Sequence, residues 1–296
     1  MVLGAGAVGA LAYAYTDTFW FSAVEGEVYA LSSMFTALVV WLMLKWEENA
    51  DKPTAMRWII LIAYLMGLSI GVHILNLLTI PALVMIYFFR RTTPVATWGY
   101  VGRIAVALFV SLLILGVING IIIPYTVALG AAVDTFVVNT FGWRENVGMV
   151  IFVVVLFVVL GALILFTHRR GYRVLNAVAL AMAVIFIGFS SYASVTIRAA
   201  ANPPMNSNNP SNPHALLSLL NRDQYGNRPL LVGPYYSARP LPVVAVSDDV
   251  EAEDYFIPTG NCEMKEMMWL NPETGKYEAR EIFDDYKYPS SAMHLL

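Results

Sequence analysis

"VGMVIFVVVLFVVLGALILF", residues 147–166, decides the fold class of this chain. The stretch has no charged residue over 20 positions, which is the length that crosses a hydrocarbon core of about 30 Å as an α-helix. Hydrocarbon offers backbone amides no hydrogen-bond partner, so a spanning segment must satisfy its own backbone as a helix or a closed barrel. The stretch therefore predicts a transmembrane helix.

Composition extends this prediction to most of the chain. Of the 296 residues, 58% are hydrophobic and 13% are charged, and the mean hydropathy is +0.62, beyond the usage of ordinary globular proteins. Apolar runs repeat up to residue 193. We predict an all-α polytopic membrane domain over 1–193 and a short mixed polar extension over 194–296. The extension divides into a Pro/Asn-rich segment, 194–240, and an acidic part with a small β element, 241–296.

About seven membrane segments are predicted. They are 1–15, 28–44, 101–123, 147–166, 174–193 and two crossings within 58–89, which is too long for one span and is expected to bend near Gly71 to Leu77. Two crossings place three basic loops on the cytoplasmic side, as the positive-inside rule requires. These loops contain Lys45, Lys52 and Arg57, then Arg90, Arg91 and Arg103, then Arg169, Arg170 and Arg173. Residues 16–28, the loop 124–146 and the tail are then extracytoplasmic.

Three acids lie among aromatic residues in the first outer stretch, "TDTFWFSAVEGEVYA", residues 16–30. For Asp17, a solvated charge beside an aromatic belt is as well supported as a functional role. Glu25 and Glu27 are expected to enter the following apolar helix and to be partly desolvated, which favours a functional role. A carboxylate in that position could accept a proton from an acceptor hydroxyl or hold a cation.

Polar residues at the predicted bend and in the outer segments are candidate substrate-binding groups. His73 and Asn76 either satisfy each other and nearby carbonyls, or face an anionic group in an outward cavity. Arg144, Arg198 and Asn202 are the further candidates, and Arg144 could meet a phosphate. Asp134, Arg144 and Glu145 are most simply solvated charges of the 124–146 loop. No His, Cys or acid spacing indicates a metal site, so no metal and no cofactor are predicted.

The tail adds two expectations. From residue 194 onward there are eight basic against thirteen acidic residues, which argues against nucleic acid as a partner. "NPETGKY", residues 271–277, predicts a hairpin turn between two short strands.

Three longer stretches carry a family resemblance. They are "TDTFWFSAVEGEVYALSSMFTALVVWLMLKWE", "RWIILIAYLMGLSIGVHILNLLTIPAL" and "NPPMNSNNPSNPHALLSLLNRDQYGNRPLLVGPYYSA". They resemble a bacterial family of large multispanning proteins, long catalogued as a domain of unknown function and grouped with protein O-mannosyltransferase-like enzymes of the glycosyltransferase C superfamily. The resemblance covers roughly residues 1–240.

The resemblance implies a glycosyltransferase C-like helix bundle in the inner (cytoplasmic) membrane with its tail outside the cytoplasm. Its implied partners are the lipid bilayer, a polyprenyl-phosphate sugar donor, with mannose as the sugar, and an acceptor protein modified on Ser or Thr. An outer-loop carboxylate would be the general base, here Glu25, Glu27 or Asp17. Polar and basic groups would bind the lipid phosphate, here His73, Asn76, Arg144, Arg198 and Asn202.

The chain also departs from that family. Family members begin with another transmembrane helix and an outer loop bearing an Asp-x-Gly-Glu motif, which this sequence lacks. We therefore expect an incomplete portion that is inactive by itself. Two alternatives stay open at this point: a transporter or channel, against which the lack of an inverted repeat counts, and a non-catalytic membrane scaffold.

Overall fold

The computed structural model describes residues 1–92, 97–226, 229, 231–245 and 258–295. The described part is mainly helical. Its α-helices are α1 (Val2–Ala14), α2 (Asp17–Val24), α3 (Val28–Glu48), α4 (Met56–Ile70), α5 (Ile80–Arg91), α6 (Thr97–Val117), α7 (Ile123–Phe141), α8 (Val147–Arg170), α9 (Arg173–Phe189), α10 (Ala193–Ala200) and α11 (Pro213–Asn221). Its short strands are β1 (Val232–Pro234), β2 (Val243–Ala245), β3 (Pro258–Gly260), β4 (Cys262–Leu270), β5 (Tyr277–Tyr286) and β6 (Met293–Leu295).

Several helical stretches are long and apolar enough to cross a membrane. Within the described ranges there are five, namely Val28–Glu48, Ile74–Arg91, Gly99–Phe141, Val147–Arg170 and Arg173–Ala200. In α8 only 6% of the most apolar window is buried inside the chain, so its large apolar surface is available to lipid. The chain is therefore a multi-pass membrane protein. The other two predicted segments coincide with the shorter apolar helices α1 and α4, and the total of seven stays a prediction.

The predicted loop over 124–146 is wrong, because α7 occupies most of it. A π-helical turn, Ile118–Ile122, leads from α6 into α7. Pro124 has no N–H to donate to the carbonyl of Gly120, and a π turn accommodates such a missing bond without ending the helix. A criterion based on hydrocarbon length ends the segment at residue 123, but a helix continues past that length when one of its faces is buried. In α7 that face includes Val127, Ala131, Asp134 and Val138.

The described chain divides into two compact units. Unit 1 consists of Met1–Ile123 and Val154–Val195, and unit 2 consists of Pro124–Val153 and Thr196–Leu296. Unit 2 thus joins the polar tail to a stretch that the sequence analysis assigned to the membrane domain.

Unit 1 is organised around the pair α4 and α9, which make the most extensive helix–helix contact. Glycines permit this contact, since a Cβ atom at Gly67 would lie 2.3 Å from the carbonyl oxygen of Ile185, and one at Gly188 would lie 2.4 Å from the amide nitrogen of Leu68. Small residues allow membrane helices to approach in this way. The core also contains buried polar residues, among them Ser69 and Asn76, but most of it is apolar, with fully or nearly fully buried Val39, Leu42, Met43, Trp46, Ile62, Met66, Ile70, Leu77 and Phe186.

The predicted bend in 58–89 is confirmed as a break between helices. α4 ends at Ile70, and a 3₁₀-helix over Ile74–Thr79 connects it to α5. Pro81 lies in the first turn of α5, where a proline does not remove an intrahelical hydrogen bond.

Unit 2 contains α7, α11 and the strands. The predicted hairpin is confirmed: β4 and β5 pair antiparallel from Cys262–Tyr286 to Leu270–Tyr277, and the turn between them uses Gly275 at φ +65°. β1 pairs with β6 and β2 pairs with β3, both antiparallel. Asn212 caps α11, since its side chain accepts a hydrogen bond from the amide of Ala215 at 2.9 Å.

Substituting Gly67 tests the α4–α9 contact. Gly67→Ala places a methyl group against the backbone of Ile185, and we expect a loss of about 1–3 kcal/mol in the free energy of unfolding because the neighbouring helix has to shift. Thermal or denaturant unfolding of the detergent-solubilised chain measures it. Gly161→Ala is the matched control, because that helical glycine has no heavy atom within 4 Å of the added Cβ. Equal stability of the two variants would contradict the close contact.

Candidate functional site

A cleft of about 400 Å³, lined by hydroxyl groups and by a larger apolar surface, lies in unit 1. We call it the hydroxyl cleft, since most of its lining side chains carry a hydroxyl group. The lining residues come from α1, α3 and the 3₁₀-helix, and are Tyr13, Tyr29, Ser32, Ser33, Thr36, Ala37 and Leu75. None of these side chains is charged. Aromatic rings together with hydroxyl groups offer stacking and hydrogen bonding without charge, which suits a neutral polar ligand.

A buried hydrogen-bond network supports one wall of the cleft. Thr36 Oγ1 donates to Asn76 Oδ1 at 3.1 Å, and Asn76 Nδ2 donates to Ser69 Oγ at 2.9 Å and to the Met66 sulfur at 3.4 Å. Asn76 has no exposed surface, and its side chain reaches the cleft only through its hydrogen bond from Thr36. Its predicted role in substrate binding stays a prediction. Asn76 does not bond to His73, the alternative that the sequence left open.

His73 lies at the edge of the cleft. Its Nδ1 accepts a hydrogen bond from the amide of Leu75 at 3.0 Å, which caps the 3₁₀-helix. Its ring lies 5.6 Å from the ring of Tyr29, measured between centroids. An Nδ1 that accepts a hydrogen bond carries no proton, so in the neutral ring the proton is on Nε2. His73 therefore offers a hydrogen-bond donor beside the cleft.

Two of the three predicted catalytic acids, Glu25 and Glu27, lie at the corner between α2 and α3, and Asp17 lies at the other end of α2. Asp17 is the first residue of α2, Glu25 follows its last residue, and Glu27 directly precedes α3; all three are exposed within the chain. The expectation that Glu25 and Glu27 enter the apolar helix is wrong, because Gly26, at φ +72°, turns the chain between them. Glu27 is two residues before Tyr29, a residue that lines the cleft. A catalytic role for these acids stays a prediction.

The remaining predicted binding residues belong to unit 2. Arg144 lies between α7 and α8, Arg198 lies in α10, and Asn202 follows α10 with φ +48°. All three are exposed, and neither arginine forms an ion pair with a described residue. Their predicted contact with a phosphate stays a prediction.

Asp134 is the main site residue of unit 2 that sequence reasoning misjudged. It is fully buried, not a solvated loop charge. Its carboxylate accepts hydrogen bonds from the amides of Gly148 at 2.8 Å, Asn146 at 3.1 Å and Met149 at 3.4 Å. These amides belong to the first turn of α8 or directly precede it, where helical N–H groups have no internal partner and the helix dipole favours an anion. The carboxylate thus caps α8 from a neighbouring helix.

Tyr277 completes the surroundings of this carboxylate. Its hydroxyl donates to Asp134 at 2.9 Å, and its backbone makes two hydrogen bonds with the side chain of Asn139, at 2.8 and 2.9 Å. Burial, and then the charge of Asp134, raise the pKa of the Tyr277 hydroxyl. The ring of His214 lies 4.8 Å from the ring of Tyr277, and its Nε2 is 2.7 Å from Thr135 Oγ1. We call Asp134, Tyr277, His214, Thr135 and Asn139 the Asp134 cluster; every member has a partner, so it is a structural lock rather than a site for a ligand.

Within the described ranges no group of three or more His, Cys, Asp or Glu side chains is placed to hold a metal ion. The hydroxyl cleft of unit 1, which five hydroxyl-bearing side chains line, is the candidate functional site. The chain is thus a multi-pass membrane protein with an uncharged cleft in unit 1. Two carboxylates, those of Glu25 and Glu27, lie between the neighbouring helices α2 and α3.

Comparison with known proteins gives one positive result. Residues 1–96 match the family model described as "Protein O-mannosyl-transferase TMEM260 N-terminal domain". The match supports a relationship to O-mannosyltransferase-like proteins over 96 of the 296 residues. A search of the curated proteins and a search of the solved structures each found no match. The bacterial grouping and the superfamily stay predictions.

Sequence reasoning missed the hydroxyl residues of the cleft. Ser32, Ser33 and Thr36 stand in "VYALSSMFTALVV", where Ser32 and Thr36 are four residues apart and so share one helix face. A polar stripe on a transmembrane helix marks a buried contact or a cavity. Ser69, the second-last residue of α4, was a second signal of the same kind.

Tyr277→Phe tests the Asp134 cluster. The variant removes one donor to a buried carboxylate, and we expect the free energy of unfolding to fall by about 1.5–3 kcal/mol. Denaturant unfolding at neutral pH measures the effect. Tyr286→Phe is the matched control, since Tyr286 lies in the same hairpin but its ring is 38% exposed. Similar stability of the two variants would show that the Asp134 contact does not stabilise unit 2.

His214 predicts an acid-side loss of stability. Burial lowers the pKa of His214, and the charge of Asp134 opposes that shift only in part. The neutral ring is therefore favoured in the folded state, so its stabilising contribution is present above a pH of about 6.5 and is lost as the pH falls below that value. We expect the unfolding midpoint to decrease more steeply below pH 6.5 in the unaltered chain than in His214→Gln. Parallel pH profiles for the two chains would contradict this assignment.

Proposed function

We propose that this chain is a membrane glycosyltransferase of the protein O-mannosyltransferase type. It transfers a sugar, mannose in the first instance, from a polyprenyl-phosphate donor to the hydroxyl group of Ser or Thr on an acceptor protein. The proposed location is the outer face of the inner (cytoplasmic) membrane.

One observation carries this proposal. The 1–96 family match spans all the lining residues of the hydroxyl cleft and all three predicted acids. The similarity to an O-mannosyltransferase domain and the cleft with its neighbouring carboxylates thus coincide in the same helices of unit 1. An uncharged, hydroxyl-rich and aromatic lining is what a sugar ring requires of its binding site.

The proposed reaction is a displacement at the anomeric carbon of the donor. The acceptor oxygen forms a bond to that carbon, and the bond from the carbon to the phosphate oxygen breaks. The hydroxyl proton passes to a carboxylate, for which Glu25, Glu27 and Asp17 are the candidates, and the polyprenyl phosphate leaves with the bonding electron pair. His73 would donate from Nε2 to the developing negative charge. Arg144, Arg198 and Asn202 remain proposed contacts of the lipid phosphate.

A transfer assay tests the proposal. The full chain is reconstituted into liposomes with polyprenyl-phosphate carrying radiolabelled mannose and a Ser/Thr peptide, and label transferred to the peptide is counted. Removing the general base is expected to lower the rate by about 100-fold or more. We expect this for one of Glu25→Gln, Glu27→Gln and Asp17→Asn.

Glu47→Gln is the control, because Glu47 is exposed near the other end of α3. A peptide with Ala in place of Ser and Thr should accept no label. If all three acid variants transfer label at the rate of the unaltered chain, these carboxylates are excluded as the base. If the unaltered chain transfers no label, activity of this chain by itself is excluded, as the missing Asp-x-Gly-Glu motif led us to expect, and ion flux across the same liposomes would favour a transporter.

A further inference from the structure

The buried network next to the hydroxyl cleft fixes which groups in the cleft donate hydrogen bonds and which accept them. The carbonyl oxygen of Met66 can only accept, so Ser69 uses its single proton to donate to it, at 2.8 Å. Ser69 Oγ can then only accept from Asn76, so the amide nitrogen of Asn76 must face Ser69. The amide oxygen of Asn76 consequently faces Thr36, and Thr36 must be the donor in that contact.

As a result, the Thr36 hydroxyl can only accept a hydrogen bond from a ligand. Its only proton is used inside the protein, while its side chain lines the cleft. Ser33 is in the same condition, since its hydroxyl donates to the backbone carbonyl of Tyr29 at 2.9 Å. Two of the hydroxyl groups in the cleft therefore accept hydrogen bonds and do not donate them.

We infer that Thr36 and Ser33 accept hydrogen bonds from hydroxyl groups of the transferred sugar, and that Asn76 is the positioning residue that sets the polarity of Thr36. This inference rests on the proposed function and deepens it. A phosphate is unsuited to this wall because its oxygens are also acceptors, and no lining side chain carries a positive charge. The wall formed by Thr36 and Ser33 therefore does not bind the lipid phosphate, and His73, whose Nε2 carries the proton in the neutral ring, offers a donor beside Tyr29.

The arrangement also predicts which ligands are rejected. An analogue in which a sugar hydroxyl is replaced by hydrogen leaves the lone pairs of Thr36 without a partner in a partly enclosed site, which lowers affinity more than the loss of a solvent-exposed contact. A methyl ether at the same position removes the donor and adds bulk. The cleft thus selects for free hydroxyl groups on the sugar.

Ligand binding to the full chain in lipid nanodiscs tests the inference. Two probes are compared, polyprenyl-phosphate mannose and polyprenyl phosphate without the sugar, and the ratio of their affinities isolates the contribution of the sugar. Thr36→Val keeps the shape of the side chain but removes the acceptor, and we expect the ratio to fall by about 2- to 10-fold. Thr36→Ser restores an acceptor and should keep the ratio within about twofold of the unaltered chain.

Asn76→Ala tests the positioning role. We expect it to lower the same ratio, and to have no additional effect on the ratio in a chain that already carries Thr36→Val, because both changes act on one contact. Gel filtration and thermal unfolding check that this buried variant is folded, and Thr36→Val decides the matter if it is not. Thr140→Val, at an exposed position in α7, is the matched control and should leave the ratio unchanged.

The outcomes separate the inference from the proposed function. If the unaltered chain prefers the mannose-bearing lipid and Thr36→Val keeps that preference, the role of Thr36 is overturned while the glycosyltransferase proposal stands. If the unaltered chain binds both lipids equally, the sugar does not occupy the cleft and the inference is overturned. If it binds neither lipid, the proposed function and the inference both fail.

Discussion

A polar group removed from water needs a hydrogen-bond partner, and much of this structure follows from that requirement. In the membrane helices the backbone meets it internally, which makes the apolar part of the chain helical. Among the described residues, two of the buried networks through which side chains meet it are centred on Asn76 in unit 1 and on Asp134 in unit 2. In each network a single residue holds elements that are distant in sequence. Thr36 and Asn76 are 40 residues apart, and Asp134 and Tyr277 are 143 residues apart.

The two networks differ in the hydrogen-bonding capacity that remains available to a ligand. Around Asp134 the carboxylate has amide and hydroxyl donors on every side, so nothing remains for a ligand. Around Asn76 the amide is also satisfied, but Thr36 keeps its lone pairs toward the cleft. A buried polar residue is therefore a guide to function only when its partner reaches a surface. This difference places the candidate site in unit 1, in the same residues as the similarity to an O-mannosyltransferase domain.

The sequence predicted those features that depend on local composition. Uncharged runs indicated membrane helices, a long apolar stretch with Gly71 and Pro81 indicated the broken helix, and "NPETGKY" indicated the hairpin turn. It could not predict features that depend on distant partners. Asp134 reads as a loop acid because its amide donors lie on another helix and its hydroxyl donor lies in a C-terminal strand. The sequence analysis placed Glu25 and Glu27 inside the apolar helix, but both precede α3. Hydropathy alone does not show that the chain turns at Gly26 before α3 begins.

The hydrogen bonds of Tyr277 with Asp134 and Asn139 have a consequence for the order in which unit 2 folds during synthesis. Helices α7 and α8 leave the ribosome long before Tyr277 is made, so the carboxylate of Asp134 at first has only the amides at the start of α8 as donors. Until the hairpin strand arrives, this corner either keeps water beside the carboxylate or stays partly open. Closure of this corner of unit 2 thus has to wait until the hairpin strand has been made. A chaperone or protease that binds the chain before then would meet an incompletely paired acid between two apolar helices, a local sign that the hairpin is still missing.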